Sequence, residues 1–256
     1  MPPHRTPSTT FSENARADHF AKVKEKDMSN SRNHKQAMIN EILKNPISPE
    51  RIETLSMECI EREAPAHSFR DGEWNVVKRM IHTTADFSLM GDVVFSPDAV
   101  DSAVAALRSA SPIYTDSNMI RAGLSIARLK SANAEYGPGK IHCYVADEDI
   151  AVRAKEAGLP RSLFAVKKAE SILNGGIAVF GNAPVALLEL NRMIIENGVA
   201  PALVIGMPVG FVHVVESKEE LMSLDVPFIA IQGRRGGSPL AVSVIHALCS
   251  IAANKQ

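Results

Sequence analysis

The segment 80–87, Met-Ile-His-Thr-Thr-Ala-Asp-Phe, places one imidazole beside two hydroxyls and a carboxylate. A histidine exchanges its proton close to neutral pH, so His82 is a candidate general acid. The segment falls where a predicted helix ends, and the partial negative charge of a helix C-terminus favours a protonated imidazole. The alternative is that His82 is a buried packing residue. Asp86 either orients His82 or caps the segment that follows it, and the sequence leaves both options open.

The composition is that of an ordinary globular protein and argues against several classes of function. Of the 256 residues, 45% are apolar and 22% are charged, and the 28 basic and 29 acidic residues leave a net charge of −1. Nucleic-acid binding requires a concentrated basic face, which this sequence lacks. No apolar run approaches the roughly 20 residues that span a bilayer, and the N-terminal segment has no signal-like apolar core. We expect neither nucleic acid nor a membrane as a partner.

The cysteines indicate the compartment. Cys59, Cys143 and Cys249 are widely separated and odd in number, which fits neither a disulfide framework nor the spacing of metal ligands. Free thiols of this kind are typical of a reducing compartment. We therefore expect a cytoplasmic protein.

The chain divides unevenly along its length. Residues 1–34 are polar, rich in Pro, Ser, Thr and Asn, and without periodic apolar positions, which predicts a flexible tail. Residues 35–256 are patterned throughout and predict a single α/β domain. The pair Ser48-Pro49 combines a capping hydroxyl with a proline at the first helical position, and it predicts a helix that continues to about Ala64.

Two further helices precede the predicted sheet. A buried stripe that includes Val76 and Met80 predicts a helix from about residue 72 to residue 84. A third helix is expected after residues 96–98, Ser-Pro-Asp, which we interpret as its cap, and it ends near Ser109.

The remainder of the chain alternates short apolar segments with glycine-rich or polar turns and helices. The apolar segments predict buried strands at residues 112–114, 140–145, 176–180, 202–205 and 228–231. Helices between them are expected to stop at Gly158 and at Gly198. Continuous apolar strands that alternate with helices predict an α/β fold, a three-layer α/β/α arrangement with a mostly parallel central sheet. In such folds ligands bind outside the carboxyl ends of the strands.

Three of the turns after these strands could contact a ligand. Residues 233–239 join the guanidinium groups of Arg234 and Arg235 to a turn that opens into a helix, which predicts an anion site, although a solvated turn with a serine cap has the same sequence. Asn182 either caps the helix after it or touches the ligand. Residues 207–211 supply apolar surface.

Several common motifs are missing from the sequence. It lacks the G-x-x-x-x-G-K-[ST] and G-x-G-x-x-G loops, the G-x-S-x-G elbow and the H-E-x-x-H zinc motif, so it gives no support for a nucleotide site, a serine hydrolase or a metal held by the protein. We interpret four scattered histidines as surface or packing residues: His67, His142, His213 and His246. Arg79 is interpreted as an ordinary charge on a helix surface.

Seven motifs in sequence order, spread between about Ser48 and Ala252, resemble those of the precorrin-8X methylmutase family, which includes the cobalt-precorrin-8 methylmutases. Each motif is weak alone, but their common order and spacing are specific. They are RMIHTTADF at 79–87, FSPD at 95–98, TDSNM at 115–119, GNAP at 181–184, VIGMPVGFV at 204–212, ESK at 216–218 and GRRGGSP at 233–239.

The resemblance implies a corrinoid isomerase of cobalamin biosynthesis. Family members move a methyl group from C-11 to C-12 of precorrin-8 or cobalt-precorrin-8 by a 1,5-sigmatropic shift, which gives hydrogenobyrinate or cobyrinate. The active-site histidine of the family falls on His82, which would protonate the macrocycle. The resemblance implies no cofactor, because any cobalt arrives within the substrate, and it implies a homodimer. The hydroxyl-rich residues 83–87 resemble the anaerobic branch of the family, in which cobalt is already present in the substrate, more closely than they resemble members that act on metal-free substrate.

The substrate implied by the resemblance is a broad apolar ring fringed with carboxylates. Arg234 and Arg235 would meet its carboxylates, and residues 207–211 would form an apolar floor. Ser56 and Arg161 match family positions that contact substrate. The full set of expected substrate-binding residues is Ser56, Thr83, Thr84, Asp116, Asn118, Arg161, Asn182, Met207, Gly210, Arg234, Arg235, Gly236, Gly237 and Ser238.

Two other classes of function fit parts of the sequence. A corrinoid-binding or carrier protein without catalysis would need the same arginines and apolar surface, but not a titrating His82. A regulatory protein that binds an anion or a nucleotide would depend only on the turn before Pro239, and nucleotide should then raise its melting temperature while a corrinoid should not.

Overall fold

The structure, a computed structural model, describes residues 37–254. The predicted tail at residues 1–34 lies outside the described residues. The chain forms two units, Met1–Ile52 and Glu53–Gln256, and all the strands of the sheet belong to the second. Within the described part of the first unit, the helix Met38–Ile42 has no buried residue. In residues 37–254 no helix has the length and apolar character needed to cross a membrane.

The order of the elements along the chain matches the alternation expected from the sequence. The helices are α1 (Met38–Ile42), α2 (Pro49–Glu63), α3 (Asp71–Thr84), α4 (Ala99–Arg108), α5 (Asn118–Gly123), α6 (Ile126–Ala132), α7 (Glu148–Ala157), α8 (Arg161–Lys168), α9 (Glu170–Leu173), α10 (Pro184–Asn197), α11 (Val214–Met222) and α12 (Ser238–Asn254). The strands are β1 (Val93–Phe95), β2 (Ile113–Thr115), β3 (Ile141–His142), β4 (Ile177–Phe180), β5 (Leu203–Gly206) and β6 (Phe228–Ile231).

These six strands form one mixed sheet in the order β1-β6-β5-β4-β2-β3. Only the pairing of β1 with β6 is antiparallel, with Val93 opposite Ile231, and the other neighbours are parallel. The carboxyl ends of β2, β4, β5 and β6 therefore meet at one edge of the sheet, and the chain before β1 reaches the same edge. The predicted mostly parallel sheet is confirmed.

Both faces of the sheet are buried, because successive side chains on each strand point to opposite sides. Ile177 and Val179 of β4 join a core with α3, α4 and α12, whereas Ala178 and Phe180 join a second core with α8, α9 and α10. Strands β5 and β6 alternate in the same way. The result is the expected three-layer α/β/α arrangement, in which α12 packs against α3, α4, α5 and α6.

Most predicted helix ends are confirmed, since the residues that define them act locally. The Ser48 hydroxyl accepts a hydrogen bond from the Arg51 amide at 3.2 Å and caps α2. Gly158 and Gly198 end α7 and α10 in the left-handed conformation, with φ of 65° and 69°. Thr84 is the last residue of α3, as predicted.

One local prediction was wrong, and one of two open alternatives is excluded. Ser96 does not cap α4, because its hydroxyl accepts the amide of Phe228 at 2.9 Å and ties the chain to β6, and Asp98 stands at the N-cap position without a side-chain cap bond. Asn182 does not cap α10 either, since the N-cap residue is Ala183 and it receives no side-chain bond.

Candidate active site

The last turn of α3 presents His82 at the surface. Its neighbours Met80 and Ile81 are buried in the core, and so the helix is fixed while the imidazole, one residue later, is exposed. No side chain or backbone group in the described part of the chain makes a hydrogen bond to this imidazole. The reading of His82 as a packing residue is wrong, and the ring can reach a bound molecule.

The hydroxyls beside His82 are engaged with their own helix. The Thr83 hydroxyl donates to the carbonyl of Arg79 at 2.9 Å, and the Thr84 hydroxyl donates to the carbonyl of Met80 at 3.1 Å. Both protons are used within α3, which leaves oxygen lone pairs facing outward. Toward a ligand these two threonines would accept hydrogen bonds.

Asp86 caps the segment after α3. Its Oδ1 accepts bonds from the Ser88 amide at 2.8 Å and the Ser88 hydroxyl at 2.6 Å, which starts the short 3₁₀ helix Phe87–Gly91. Hydrogen bonds from Ser88 lower the pKa of Asp86, and the nearby Arg235 adds to this effect. Of the two roles that the sequence left open, the structure shows the capping role.

A pocket of about 370 Å³, here called the His82 pocket, opens beside this helix end. Helices α3, α5 and α12 form its walls, and α5 approaches α12 so closely that a Cβ on Gly123 would lie 2.9 Å from Cγ2 of Val242. The pocket is lined by Arg79, His82, Thr83, Met119, Gly123, Ser238, Pro239, Val242, Ser243 and His246.

A second imidazole, that of His246, lines the same pocket. Its Nε2 accepts a hydrogen bond from the backbone amide of Ser125 at 3.0 Å. Burial lowers the pKa of His246 to about 4, with the positive charges of Arg128 and Arg79 acting in the same direction. His246 is therefore a neutral ring near neutral pH. His246 was interpreted as a surface or packing residue; it is partly buried, and it also lines the His82 pocket.

Arg79 connects the pocket to a partly buried ion pair and is not an ordinary surface charge. Its side chain is only 17% exposed, and its guanidinium donates to the Glu53 carboxylate at 2.5 Å. Arg128 approaches the other oxygen of the same carboxylate at 3.4 Å. The hydrogen bond from Arg79 is the main reason that the pKa of Glu53 is lowered. One carboxylate thus ties α3 to α6.

A second pocket of about 370 Å³, the Arg234 pocket, lies on the other side of the same helix ends. Thr83 lines the first pocket and Thr84 the second, and likewise Pro239 lines the first and Leu240 the second, so the ends of α3 and α12 form a ridge between them. The lining of the Arg234 pocket consists of Thr84, Asp86, Leu89, Val209, Ile231, Arg234, Arg235, Gly236 and Leu240.

The two arginines of this pocket differ in their partners. The Arg235 guanidinium donates to Asp86 at 2.7 Å and to the Ser88 hydroxyl at 2.8 Å, and it reaches Asp92 at 3.4 Å. Arg234 lies over the ring of Phe211 at 5.5 Å and has no carboxylate partner among the described residues. Arg234 is therefore the guanidinium that is open to an anionic ligand.

The loops after β4, β5 and β6 pack backbone against backbone, which only glycine permits. A Cβ on Gly236 would lie 2.3 Å from the carbonyl oxygen of Met207, and its φ of 153° is itself unfavourable for other residues. A Cβ on Gly181 would lie 2.9 Å from Cα of Ser238. The Gly237 amide donates to the Met207 carbonyl at 2.8 Å. Since that amide is engaged, the turn offers an anion fewer donors than its sequence suggests.

Lys218 holds the arginine turn in place from below. Its side chain is fully buried, and its Nζ donates to the carbonyl of Gly233 at 3.0 Å and to that of Arg235 at 2.5 Å. Burial lowers the pKa of this ammonium group to about 8. The lysine belongs to one of the seven sequence motifs, but its role as an anchor was not foreseen.

Asp116 has a similar role at the end of β2. It is 1% exposed, and its two carboxylate oxygens accept the backbone amides of Gly181 at 3.2 Å, Asn182 at 2.8 Å and Ala183 at 2.7 Å. Burial raises the pKa of Asp116, and these backbone bonds oppose the rise. The geometry places the carboxylate within the turn after β4 and not at the surface of a pocket.

Exposed side chains around the edge include several that were predicted to bind substrate. Asn118 at the start of α5 and Asn182 are exposed. The Met207 side chain is fully buried in the core, so the apolar surface expected from residues 207–211 comes from Val209 and Phe211, which are 46% and 84% exposed.

The remaining predicted residues divide between the edge and more distant positions. Ser238 is buried at the start of α12, and its hydroxyl lies 3.1 Å from that of Ser117. Gly210 is partly buried, with its amide 3.4 Å from the carbonyl of Arg234. Ser56 is partly buried on α2. Arg161 begins α8 and lines a separate pocket with residues of α7, which has no lining residue in common with the His82 pocket or the Arg234 pocket.

Comparison with known proteins gives a consistent set of relatives. A model of the family described as precorrin-8X methylmutase matches residues 51–251. The cobalt-precorrin-8 methylmutase of Leptospira interrogans is 42% identical over 212 residues, which cover 80% of this chain and 94% of that protein. The precorrin-8X methylmutase of a Sinorhizobium species is 36% identical over 195 residues, covering 75% and 90%. The crystal structure of the precorrin-8X methylmutase from Thermus thermophilus superposes with a TM-score of 0.73 at 40% identity, over 80% of this chain and 97% of that one.

Proposed function

The chain belongs to the precorrin-8X methylmutase family and is an isomerase, and from this premise we propose that it moves a methyl group from C-11 to C-12 of cobalt-precorrin-8 or precorrin-8 with His82 as the general acid. The product would be cobyrinate or hydrogenobyrinate. The observation on which the proposal depends most is an exposed imidazole without a hydrogen-bond partner in the described chain, placed in a pocket at the helix end.

The proposed step needs one proton and no other reagent. His82 protonates the macrocycle, which makes the ring more electron-demanding at the position that receives the methyl group. The bond from the methyl carbon to C-11 breaks as the bond to C-12 forms, and the proton then returns to the imidazole. Neither oxidation nor loss of a group is involved, so substrate and product are isomers. Acid catalysis of this kind contributes about 10²–10⁴-fold to a rate.

The ligand-facing charges support a substrate fringed with carboxylates. Arg234 offers a guanidinium without a carboxylate partner in the described chain, and Phe211 and Val209 offer apolar surface beside it. Small-molecule sites usually enclose about 300–1,000 Å³, and each of the two pockets is near the lower limit of that range. We propose that the macrocycle lies across the ridge, with its reacting edge in the His82 pocket and carboxylates in the Arg234 pocket.

The cobalt form is the substrate that we favour. The resemblance of residues 83–87 to the anaerobic branch and the 42% identity to a cobalt-precorrin-8 methylmutase both support it. Cobalt would be part of the substrate, and the proposed reaction requires no separate cofactor. We also propose a cytoplasmic homodimer, as the family resemblance implies, with the corrinoid as the only small-molecule partner.

Replacing His82 tests the proposal directly. We expect His82→Ala to lower the turnover number by about 10²–10⁴-fold, because the proton donor is lost. Binding of cobyrinic acid should change by less than about threefold, because the arginine and the apolar surface remain. Isomerisation is followed by the change in visible absorbance of the corrinoid, and product binding by absorbance titration. The matched control is His67→Ala, which removes an exposed imidazole that lines none of the pockets described above.

The two measurements separate this proposal from its alternative. Full isomerisation by His82→Ala would refute the acid role. A wild-type protein that binds cobyrinic acid but does not isomerise the substrate would be a corrinoid carrier, the non-catalytic function considered from the sequence.

A further inference from the structure

His246 is the second imidazole of the His82 pocket, and its hydrogen bond determines which of its nitrogens carries a proton. The ring lies on α12, and its Nε2 accepts the backbone amide of Ser125 at 3.0 Å. A nitrogen that accepts a hydrogen bond cannot hold a proton of its own, and so the neutral ring has its proton on Nδ1. No group in the described part of the chain accepts from that Nδ1–H.

The surroundings of His246 keep the ring neutral. The Ser125 amide would face a second N–H if Nε2 were protonated, and the guanidinium groups of Arg79 and Arg128 disfavour a further positive charge. Glu53 is the carboxylate near these arginines, and it is engaged with both of them. His246 is therefore a hydrogen-bond donor of fixed direction that does not change with pH in the neutral range.

We propose that His246 binds the substrate through Nδ1–H, which donates to an oxygen acceptor at the edge of the macrocycle, a carboxylate or a carbonyl. The inference rests on the proposed function and extends it by a residue that determines how the substrate is placed. The two imidazoles of the pocket then have different tasks. His82 gives a proton to the ring, and His246 holds an oxygen of the same molecule without transferring its proton.

Two amide variants distinguish this role from a purely structural one. In His246→Asn the side-chain amide occupies the position of Nδ1, so it keeps the donor to the ligand and loses the acceptor for Ser125. In His246→Gln the amide occupies the position of Nε2, so it keeps the bond to Ser125 and loses the donor to the ligand. We expect Asn to bind cobyrinic acid within about threefold of wild type and Gln to bind about tenfold or more weakly, as for a lost bond to a charged acceptor. Melting temperatures should show the opposite order.

A second measurement uses the wild-type protein alone. A long-range ¹H–¹⁵N spectrum of protein labelled in histidine reports which ring nitrogen is protonated, and the variant spectra assign the signals of His246. We expect the proton on Nδ1 from neutral pH to below pH 6. A proton on Nε2 would overturn the proposal even if the Asn variant failed to fold.

The remaining outcomes are also decisive. Binding by Gln at the wild-type level would mean that the ring only supports Ser125, and this proposal would be refuted. Failure of the wild-type protein to bind cobyrinic acid would instead overturn the proposed function, and this inference with it. Binding of cobyrinic acid by His67→Ala, which removes an exposed imidazole outside both pockets, should equal that of wild type and is the control.

Discussion

Replacing Lys218 by methionine tests whether a buried ammonium group holds the arginine turn at an energetic cost. Methionine keeps the length and apolar character of the side chain but removes the bonds from Nζ to the carbonyls of Gly233 and Arg235. The variant removes the buried charge together with these two bonds. Only the loss of the titrating group makes the difference from wild type depend on pH.

The size of the effect follows from the pKa of Lys218, which burial lowers from 10.5 to about 8. A base with a lowered pKa in the folded state binds fewer protons there than in the unfolded chain, so stability increases as the pH rises through this interval. Near neutral pH Lys218 is protonated in both the folded and the unfolded state, and burial of its charge lowers the free energy of unfolding by about 3 kcal/mol. This penalty disappears above about pH 10.5, where the lysine is neutral in both states. The free energy of unfolding of wild type, relative to Lys218→Met, should rise by about 2 kcal/mol between about pH 7 and pH 9.5.

Urea unfolding at several pH values measures this difference. The relative measurement is necessary because buried tyrosines such as Tyr136, whose pKa is raised by burial, alter the stability of both proteins equally at high pH. Lys130→Met on the exposed surface of α6 is the control and should show no such trend. A difference between wild type and Lys218→Met that stays constant with pH would refute the reasoning. It would mean that the two carbonyl bonds fully offset the burial of the charge.

Two further predictions concern the backbone of the site. Gly236→Ala should lower the free energy of unfolding by about 3 kcal/mol, because its Cβ would lie 2.3 Å from the Met207 carbonyl. The control is Gly233→Ala, with a φ of 68° and open space around it, which should lower the free energy of unfolding by only about 1 kcal/mol in the same urea assay. Equal losses in the two variants would contradict the backbone contact. Asp116→Ala should lower the free energy of unfolding by about 3–5 kcal/mol, because three backbone amides lose their acceptor. Asp225→Ala, at an exposed position, is the control. A loss below about 1 kcal/mol in Asp116→Ala would show that water replaces the carboxylate.

The sheet was predictable because most of its strands are short runs of mainly apolar residues. Segments such as residues 177–180 are buried on both faces, and a parallel sheet covered by helices is the arrangement that buries them. Strand β1 was missed since its three residues, 93–95, pair at an antiparallel edge and are too few to stand out. Strand β3 was predicted over residues 140–145 but spans only Ile141–His142, because it lies at the other edge and pairs with β2 alone.

The site was predictable only where a local signal marked a residue. His82 was singled out because the end of its helix can be seen in the sequence, and the structure places it, exposed, in the lining of a pocket. His246 and Lys218 were not, because both lie within helices whose sequences show only an apolar stripe, and their partners are Ser125 and the turn at Gly233. Arg79 was set aside for the same reason, since its partner Glu53 lies on another helix. Contacts of this kind join residues that are distant in sequence, so they can be seen only in the folded chain.

The position of the pockets follows from what Asp116 does at the centre of the sheet. Helix α5 after β2 packs on one face and α10 after β4 on the other, and these neighbouring strands form the crevice in which open α/β sheets usually bind ligands. Here the crevice is filled from within, because the Asp116 carboxylate takes the amides of the turn before α10 that would otherwise attract an anion. A positively charged group that binds an anionic ligand must then lie elsewhere along the same edge. Arg234 offers a positive charge at the end of β6, next to the helix end that presents His82. The proposed acid and the proposed anion-binding group therefore lie on opposite sides of one ridge.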